Sequence, residues 1–340
     1  MKYLIIGLAF CWTHSLLAQE VPKPEEWGLT HIPFTYQNEP VDLVLLSGGT
    51  KYDTIKKPLF LFVQGSLPKP LLISNKKGDK FSVFPFNPMS AFAAYHFVMI
   101  GKPAIPLNGI MEDLQQPYLL YHDPKTGAFP RKYCQSNHLD YYVERNKAVL
   151  EYLAKQDWVD ESRIVVAGHS EGVSVSFKMA IEKVPMTHLI LLNAGLTGRI
   201  MAIVTNHRQK EENKEDYEQT EALFNYWKSL VETTPKELSD DCSLRDSHKA
   251  TASFSYPYRQ HLKEIDIPVF FGYGTKDESV LLMDQLRLET IRAKKENYYF
   301  KSYFGWEHNF FGFNEDGSLN YEDYNYDKVA TDFFKWLKNN

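Results

Sequence analysis

Positive charge is not in excess in this 340-residue chain: 38 Lys and Arg stand against 43 Asp and Glu, giving a net charge of −5 and a pI near 6.1. A nucleic-acid partner calls for a basic face, so none is expected. Beyond the N-terminus no apolar run has the length of a membrane span, and no stable membrane insertion is expected. Cysteine is scarce, with 3 residues. No C-x-x-C, no helical His pair at metal spacing and no phosphate-cradling glycine loop occurs; Gly272-Tyr-Gly274-Thr-Lys276 has the wrong spacing for the last. Neither a metal nor an organic cofactor is therefore expected. No internal repeat is visible.

The first residues carry an early lysine, a moderate apolar stretch and the small Ala18 before polar sequence. That is the pattern of a secretory signal, with cleavage expected after Ala18 and export to the periplasm or beyond. Thr13, His14 and Ser15 interrupt it, so it is too short to span a bilayer. Phe10, large where a bacterial lipoprotein signal needs a small residue, argues against lipidation of Cys11. Loss of the signal leaves Cys134 and Cys242, which an oxidising compartment permits to bridge or to stay separate. Aromatics reach 14%; their ordinary use is packing, and a stacking surface for a sugar or aryl group is the sharper alternative.

The stretch Arg163-Ile-Val-Val-Ala-Gly168-His-Ser170-Glu-Gly172 organises the rest. Ile164 to Ala167 form a continuous apolar run suited to a strand buried on both faces. Gly168 and Gly172 flank Ser170 at G-x-S-x-G spacing. A nucleophile on a tight strand-to-helix turn needs neighbours without a β-carbon, because strand and helix pass so closely. Val173 to Ile181 reads as the helix that follows. A structural turn serine is the plainer reading of the same motif.

In chain order, residues 19 to 30 read as an extended lead-in. Ile32 to Tyr36 and Val41 to Leu46, separated from Pro58 to Val63 by the turn signal Ser47-Gly-Gly-Thr50, predict a small antiparallel meander feeding the first central strand. Gln64-Gly65-Ser66 closes that strand, and its backbone can supply an oxyanion-hole N–H, from Ser66 first and Gly65 second, to accompany the N–H of Glu171. Asn87 to Tyr95 predicts a short helix and His96 to Ile100 a strand. His96 reads as a packed residue, and His122-Asp123 as turn residues within a long irregular stretch, 102 to 138. Asn137 with Asp140 predicts an N-cap for the helix carrying Tyr142, Val143, Val149, Leu150 and Leu153.

After the strand His188 to Leu192, residues of about 197 to 263 read as a mostly helical insertion. Leaving and rejoining a parallel sheet at the carboxyl ends of its strands, it should cap the site. Asp277 follows the strand Ile267 to Tyr273, placed either to orient an imidazole or to cap the helix starting near Ser279, with Glu278 as the fallback acid. A helix to about Ala293, a strand Tyr298 to Tyr303, a loop bearing His308 and a closing helix Tyr324 to Leu337 complete the chain.

Serine is a weak nucleophile, so it needs a base, and the base needs an acid to fix its tautomer. Ser170, Asp277 and His308 supply all of these, each after a predicted strand, in the chain order Ser, Asp, His. With the Val159-Asp160, Gln64-Gly65-Ser66, Gly274-Thr-Lys-Asp277 and Glu307-His308-Asn309-Phe310 segments, the sequence resembles the α/β-hydrolase superfamily, in its dienelactone-hydrolase and prolyl-oligopeptidase-like branch. The resemblance, which covers about residues 30 to 340, implies a domain over 19–340 with a mostly parallel sheet flanked by helices, with Ser170 as nucleophile, His308 as base, Asp277 as orienting acid, and Ser66 and Glu171 as the oxyanion hole. Gln64 stands where many relatives have His, and another glycine is usual near Leu67. With no room for a β-propeller in this length, the expected reaction is hydrolysis of a small or glycan-linked carboxylic ester. A serine aminopeptidase or oligopeptidase with the same triad, an amine being read by Glu171 or Asp241, and an inactive hydrolase-fold binding protein are the alternatives. Oligomeric state is left open.

Overall fold

Alternation along buried strands lays out a core on each side of one sheet. The computed structural model describes residues 23–46, 55–91, 93–242 and 246–340; the signal segment 1–18 and the turn Ser47–Thr50 lie outside them. The strands run β1 (Thr30–Tyr36), β2 (Glu39–Leu46), β3 (Lys57–Val63), β4 (Leu72–Ser74), β5 (Lys80–Ser82), β6 (His96–Ile100), β7 (Asn108–Ile110), β8 (Val159–His169), β9 (His188–Leu192), β10 (Val269–Gly274), β11 (Tyr298–Tyr303), β12 (Phe311–Phe313) and β13 (Leu319–Tyr324). The helices are α1 (Arg131–Ser136), α2 (Leu139–Leu153), α3 (Glu171–Ile181), α4 (Arg199–Gln209), α5 (Lys214–Glu232), α6 (His248–Phe254), α7 (Val280–Arg292) and α8 (Tyr326–Asn339).

Eight strands make the main sheet in the order β1-β2-β6-β3-β8-β9-β10-β11. β1, β2 and β6 pair antiparallel, and from β6 through β3 to β11 every pairing is parallel. Because side chains alternate across a strand, Leu59, Leu61 and Val63 of β3 pack with α2 and α3, whereas Phe60 and Phe62 pack with α8. β8 divides likewise, Ile164 and Val166 to one core and Val165 and Ala167 to the other. α8 buries Tyr326, Val329, Ala330, Phe333 and Leu337, a stripe at helical spacing. No helix of the described residues is long and apolar enough to cross a membrane.

The structure departs from expectation in local detail. The N-cap of α2 is His138, whose Nδ1 accepts the Tyr141 N–H at 3.3 Å, and not Asn137. Asn137 is buried and its side-chain oxygen accepts the Tyr142 hydroxyl instead, at 3.1 Å. The irregular stretch after residue 102 contains β7 and α1, β7 joining β4 and β5 in a small separate sheet. Pro88–Ala91 makes a single 3-10 turn where a short helix was expected. The hairpin β12–β13 was not anticipated; it carries the chain from the His308 loop to α8. Between β9 and β10 lie α4, α5 and α6; the charged run starts α5, where Asn213 accepts the N–H groups of Glu215 and Asp216.

Candidate active site

Steric contact dictates the turn after β8. A β-carbon on Gly168 would lie 2.3 Å from the Gly172 carbonyl oxygen, and one on Gly172 would lie 2.1 Å from that of Val63. Only glycine permits this crossing of β3, β8 and α3. Between the two glycines Ser170 sits at φ 55°, ψ −123°, a conformation that costs a non-glycine residue about 1–3 kcal/mol and is retained where surroundings enforce it. Its N–H is held by the Leu192 carbonyl at 3.0 Å.

The loops after β3, β8, β9, β10 and β11 end at one sheet edge, as parallel strands require. They bring Ser66, Ser170, Glu171, Asp277 and His308 onto the wall of one cleft of about 900 Å3, and residues of α4, with Asp246 and Phe254 from the insertion, line it too. His308 Nδ1 donates to Asp277 Oδ2 at 2.7 Å. Asp277 is buried, and its other oxygen accepts the Ser279 N–H at 2.6 Å. Orienting the imidazole and capping the next helix were alternatives in sequence; the carboxylate orients the imidazole, while the N-cap position of α7 is Ser279 and the Asp277–Ser279 bond closes the turn before it. Burial pushes the His308 pKa down, but the hydrogen bond and charge of Asp277, helped by Glu307 and Glu278, push it up by more, and the net direction is upward from 6.5. Among the described residues no hydrogen bond joins the Ser170 hydroxyl to His308; such bonds are often loose before substrate arrives.

On the other side of Ser170, a β-carbon on Gly65 would lie 3.4 Å from the serine's own. Ser66 reaches the cleft wall and Gly65 does not. The backbone N–H groups of Ser66 and Glu171 have no hydrogen-bond partner among the described residues. Gln64, in the place of the relatives' His, donates to the Ile100 carbonyl at 3.0 Å.

Sequence reasoning missed the supports of His308. The His169 ring donates from Nε2 to the His308 carbonyl at 2.8 Å, and the Asn193 amide donates to the same oxygen at 2.7 Å. Asn193 also accepts the Gly274 N–H at 2.9 Å, so it ties the end of β10 to the histidine loop. Burial, then the charge of His308, lowers the His169 pKa to about 3, which keeps it neutral. The signals were faint: His169 is a variable place in the motif, and Asn193, at φ 55°, follows a strand where a polar residue is ordinary.

Several candidates lie elsewhere. His96 is buried, its Nε2 on the Ile55 and Trp158 carbonyls at 2.8 and 3.1 Å. His122 packs on Phe129, and Asp123 closes a turn with the N–H groups of Lys125 and Gly127. Glu278 faces the insertion, accepting from Asn206 and pairing with Lys210 at 3.5 Å. Asp241 does not line the cleft. The Glu171 carboxylate, considered as a reader of substrate amines, is buried between Lys102 Nζ at 3.0 Å and Arg199. Burial raises its pKa, yet those cations lower it by more, so it is an engaged anion. Cys134 and Cys242 are joined by a disulfide with Cα atoms 5.4 Å apart.

A parallel sheet with a strand–Ser–helix elbow and an Asp–His pair at the same edge defines the α/β-hydrolase fold, and this chain has it. Residues 242–340 match the model of the dienelactone hydrolase family, the branch to which the motifs were similar. Among solved structures the chain is similar to Est1E from Butyrivibrio proteoclasticus, with 13% identity, 91% of this chain and 98% of that one covered, and a TM-score of 0.51. Dipeptidyl peptidase 4 from Porphyromonas gingivalis matches at 14% identity over 92% of this chain, with a TM-score of 0.50. This chain spans only 35% of that peptidase. No curated protein matches by sequence.

Proposed function

We propose that the protein is a serine hydrolase that cleaves carboxylic esters through an acyl-enzyme. Ser170 attacks the ester carbonyl while His308 Nε2 takes its proton; Asp277 keeps the other ring nitrogen protonated and stabilises the imidazolium. The oxyanion is received by the N–H groups of Ser66 and Glu171. His308 then returns the proton to the departing alcohol, and water repeats the sequence to release the acid. The observation that carries this reading is the convergence of a strained serine, an Asp-bound imidazole and two unpartnered N–H groups on one cleft.

An ester is favoured over an aminopeptidase substrate by the acids of the cleft. A protonated amine needs a carboxylate free to receive it. Among the described residues each carboxylate on the wall already has partners: Glu171 has Lys102 and Arg199, Asp246 has Arg199, Asp277 has His308, Glu278 has Asn206 and Lys210, and Glu307 accepts the N–H groups of Asn309 and Phe311. The family description, a hydrolase of a lactone, points the same way. Export, with removal of residues 1–18, belongs to this reading, and the disulfide supports an oxidising compartment. The open cleft of about 900 Å3 suits a small or glycan-linked ester.

The test is a panel of aryl esters, acetylated sugars and aminoacyl anilides assayed with wild type and Ser170→Ala. Hydrolysis of at least one ester, faster than any anilide and lost in Ser170→Ala, is expected. Faster cleavage of anilides would replace the esterase by a peptidase, and full activity in Ser170→Ala would remove the mechanism.

A further inference from the structure

The group that holds the Ser66 end of the oxyanion hole stands next to the disulfide. Tyr133 is buried on α1, and its hydroxyl donates to the carbonyl of Ser66 at 3.2 Å. This fixes the peptide plane that follows Ser66 and so the course of the loop at the Ser66 N–H. The next residue is Cys134, bridged to Cys242. Glu171, the other donor, is held separately: Arg199 of α4 pairs with its carboxylate and with that of Asp246. Lys102 grips the remaining oxygen of Glu171. A second tie crosses beside the bridge, from Arg131 of α1 to Asp240 at 2.6 Å. The Lys102 and Glu171 side chains are each only 4% exposed, and that of Arg199 is 12% exposed. Paired charges so deep cannot exchange partners for water without large cost, so the Glu171 carboxylate is held between Lys102 and Arg199.

We propose that the Cys134–Cys242 bridge is a positioning frame for the oxyanion hole. Through Tyr133 it holds the loop that carries the Ser66 N–H. Tyr133, Cys134 and Cys242 do not line the cleft; they act through that donor and are positioning residues. The reason such a frame matters is geometric. An oxyanion donor contributes a factor of about 10²–10³ to kcat when it lies within hydrogen-bond distance of the developing charge, and a misplacement of about 1 Å can cost about 10²-fold. This inference rests on the ester-hydrolase reading.

Two variants test it: Tyr133→Phe, which removes a single oxygen, and the double variant Cys134→Ser/Cys242→Ser. On an ester cleaved by the wild type, each should lower kcat about 5- to 50-fold with KM within about twofold. Affinity for a trifluoromethyl ketone, which forms a tetrahedral oxyanion on the serine, should fall by the same factor as kcat/KM. Affinity for the alcohol product, which presents no oxyanion, and the acid limb of the pH profile should not move. Adding Tyr133→Phe to the bridge-free protein should cost less than about twofold more, since both changes release the same loop.

Circular dichroism and thermal melts identify folded variants, and if the bridge-free protein does not fold, Tyr133→Phe decides the matter alone. Folded variants with wild-type kcat, or with equal losses in ketone and product affinity, would overturn the proposal. A wild type with no Ser170-dependent hydrolysis would remove both the function and this frame, whereas Ser170-dependent hydrolysis with unaltered variants would remove the frame alone.

Discussion

Replacing Asp277 by Asn tests the half of the relay that the structure displays most fully. The carboxylate accepts two N–H groups, from Ser279 at 2.6 Å and from His308 at 2.7 Å, and its side chain is 1% exposed. An Asn has one oxygen. If that oxygen stays with the Ser279 N–H, the amide NH2 faces the imidazole and the Nδ1 atom must become an acceptor. The proton then sits on Nε2, where the ring cannot take the Ser170 proton. The opposite flip sets the NH2 against the Ser279 N–H, two donors in a buried place, at a cost of about 1–3 kcal/mol. The tautomer error should reduce kcat about 10⁴-fold, or about 5.4 kcal/mol of transition-state stabilisation, with KM changed little.

The pH profile supplies a second reading of the same variant. Asp277 is the main reason that His308 titrates above 6.5 although burial favours the neutral ring. Catalysis needs that neutral ring, so wild-type kcat/KM should rise along a limb centred above pH 6.5. In Asp277→Asn burial acts with less opposition, and the limb should move to lower pH. Steady-state rates from pH 5 to 9 on a non-titrating ester measure both effects. A variant with kcat within tenfold of wild type and an unmoved limb would refute the assignment of Asp277.

Asn193→Ala removes both the grip on the His308 carbonyl and the acceptor for the Gly274 N–H; kcat should drop about 10- to 100-fold with KM nearly constant, as initial rates will report. Lys102→Met leaves the buried Glu171 with Arg199 alone, and denaturant unfolding should show a loss of about 3 kcal/mol; no loss would mean that the pair is not buried in solution. Acid should destabilise the fold through two histidines. Burial, with the charges of His308 and Lys249 respectively, lowers His169 to about 3 and His138 to about 4 from 6.5. The unfolded chain binds protons first, so their contribution is whole above pH 6.5 and is lost as pH falls towards 4 and 3, at up to about 1.4 kcal/mol per unit for each. Thermal melts between pH 7 and 4 should show it, and His169→Asn should flatten the slope.

Much of this was legible because the strongest constraints are local. Gly168 and Gly172 announce a crossing that no β-carbon survives, and the apolar runs of β3, β8, β9 and β10 announce strands buried on both faces. Parallel topology then carries Ser170, Asp277 and His308 to one edge without any need to know the packing. What escaped the sequence depends on partners distant along the chain. Nothing around Asn137 says that Tyr142 takes its side chain and leaves His138 to cap the helix. Glu171 looks like an acid beside the nucleophile, and only the arrival of Lys102 and Arg199 from 69 and 28 residues away makes it an internal counter-ion. The short hairpin β12–β13 has too few residues to show a period, and its pairing of Phe313 with Leu319 is set by the fold around the cleft.

The account turns on Ser170 being the atom that attacks. Incubation of the full chain with a fluorophosphonate, followed by proteolysis and mass spectrometry, reads this directly. A stoichiometric adduct on the peptide containing Ser170, abolished in Ser170→Ala and slowed by Asp277→Asn in proportion to its loss of kcat, is the predicted result. An unmodified protein that still hydrolyses esters, or an adduct carried by another residue, would contradict it.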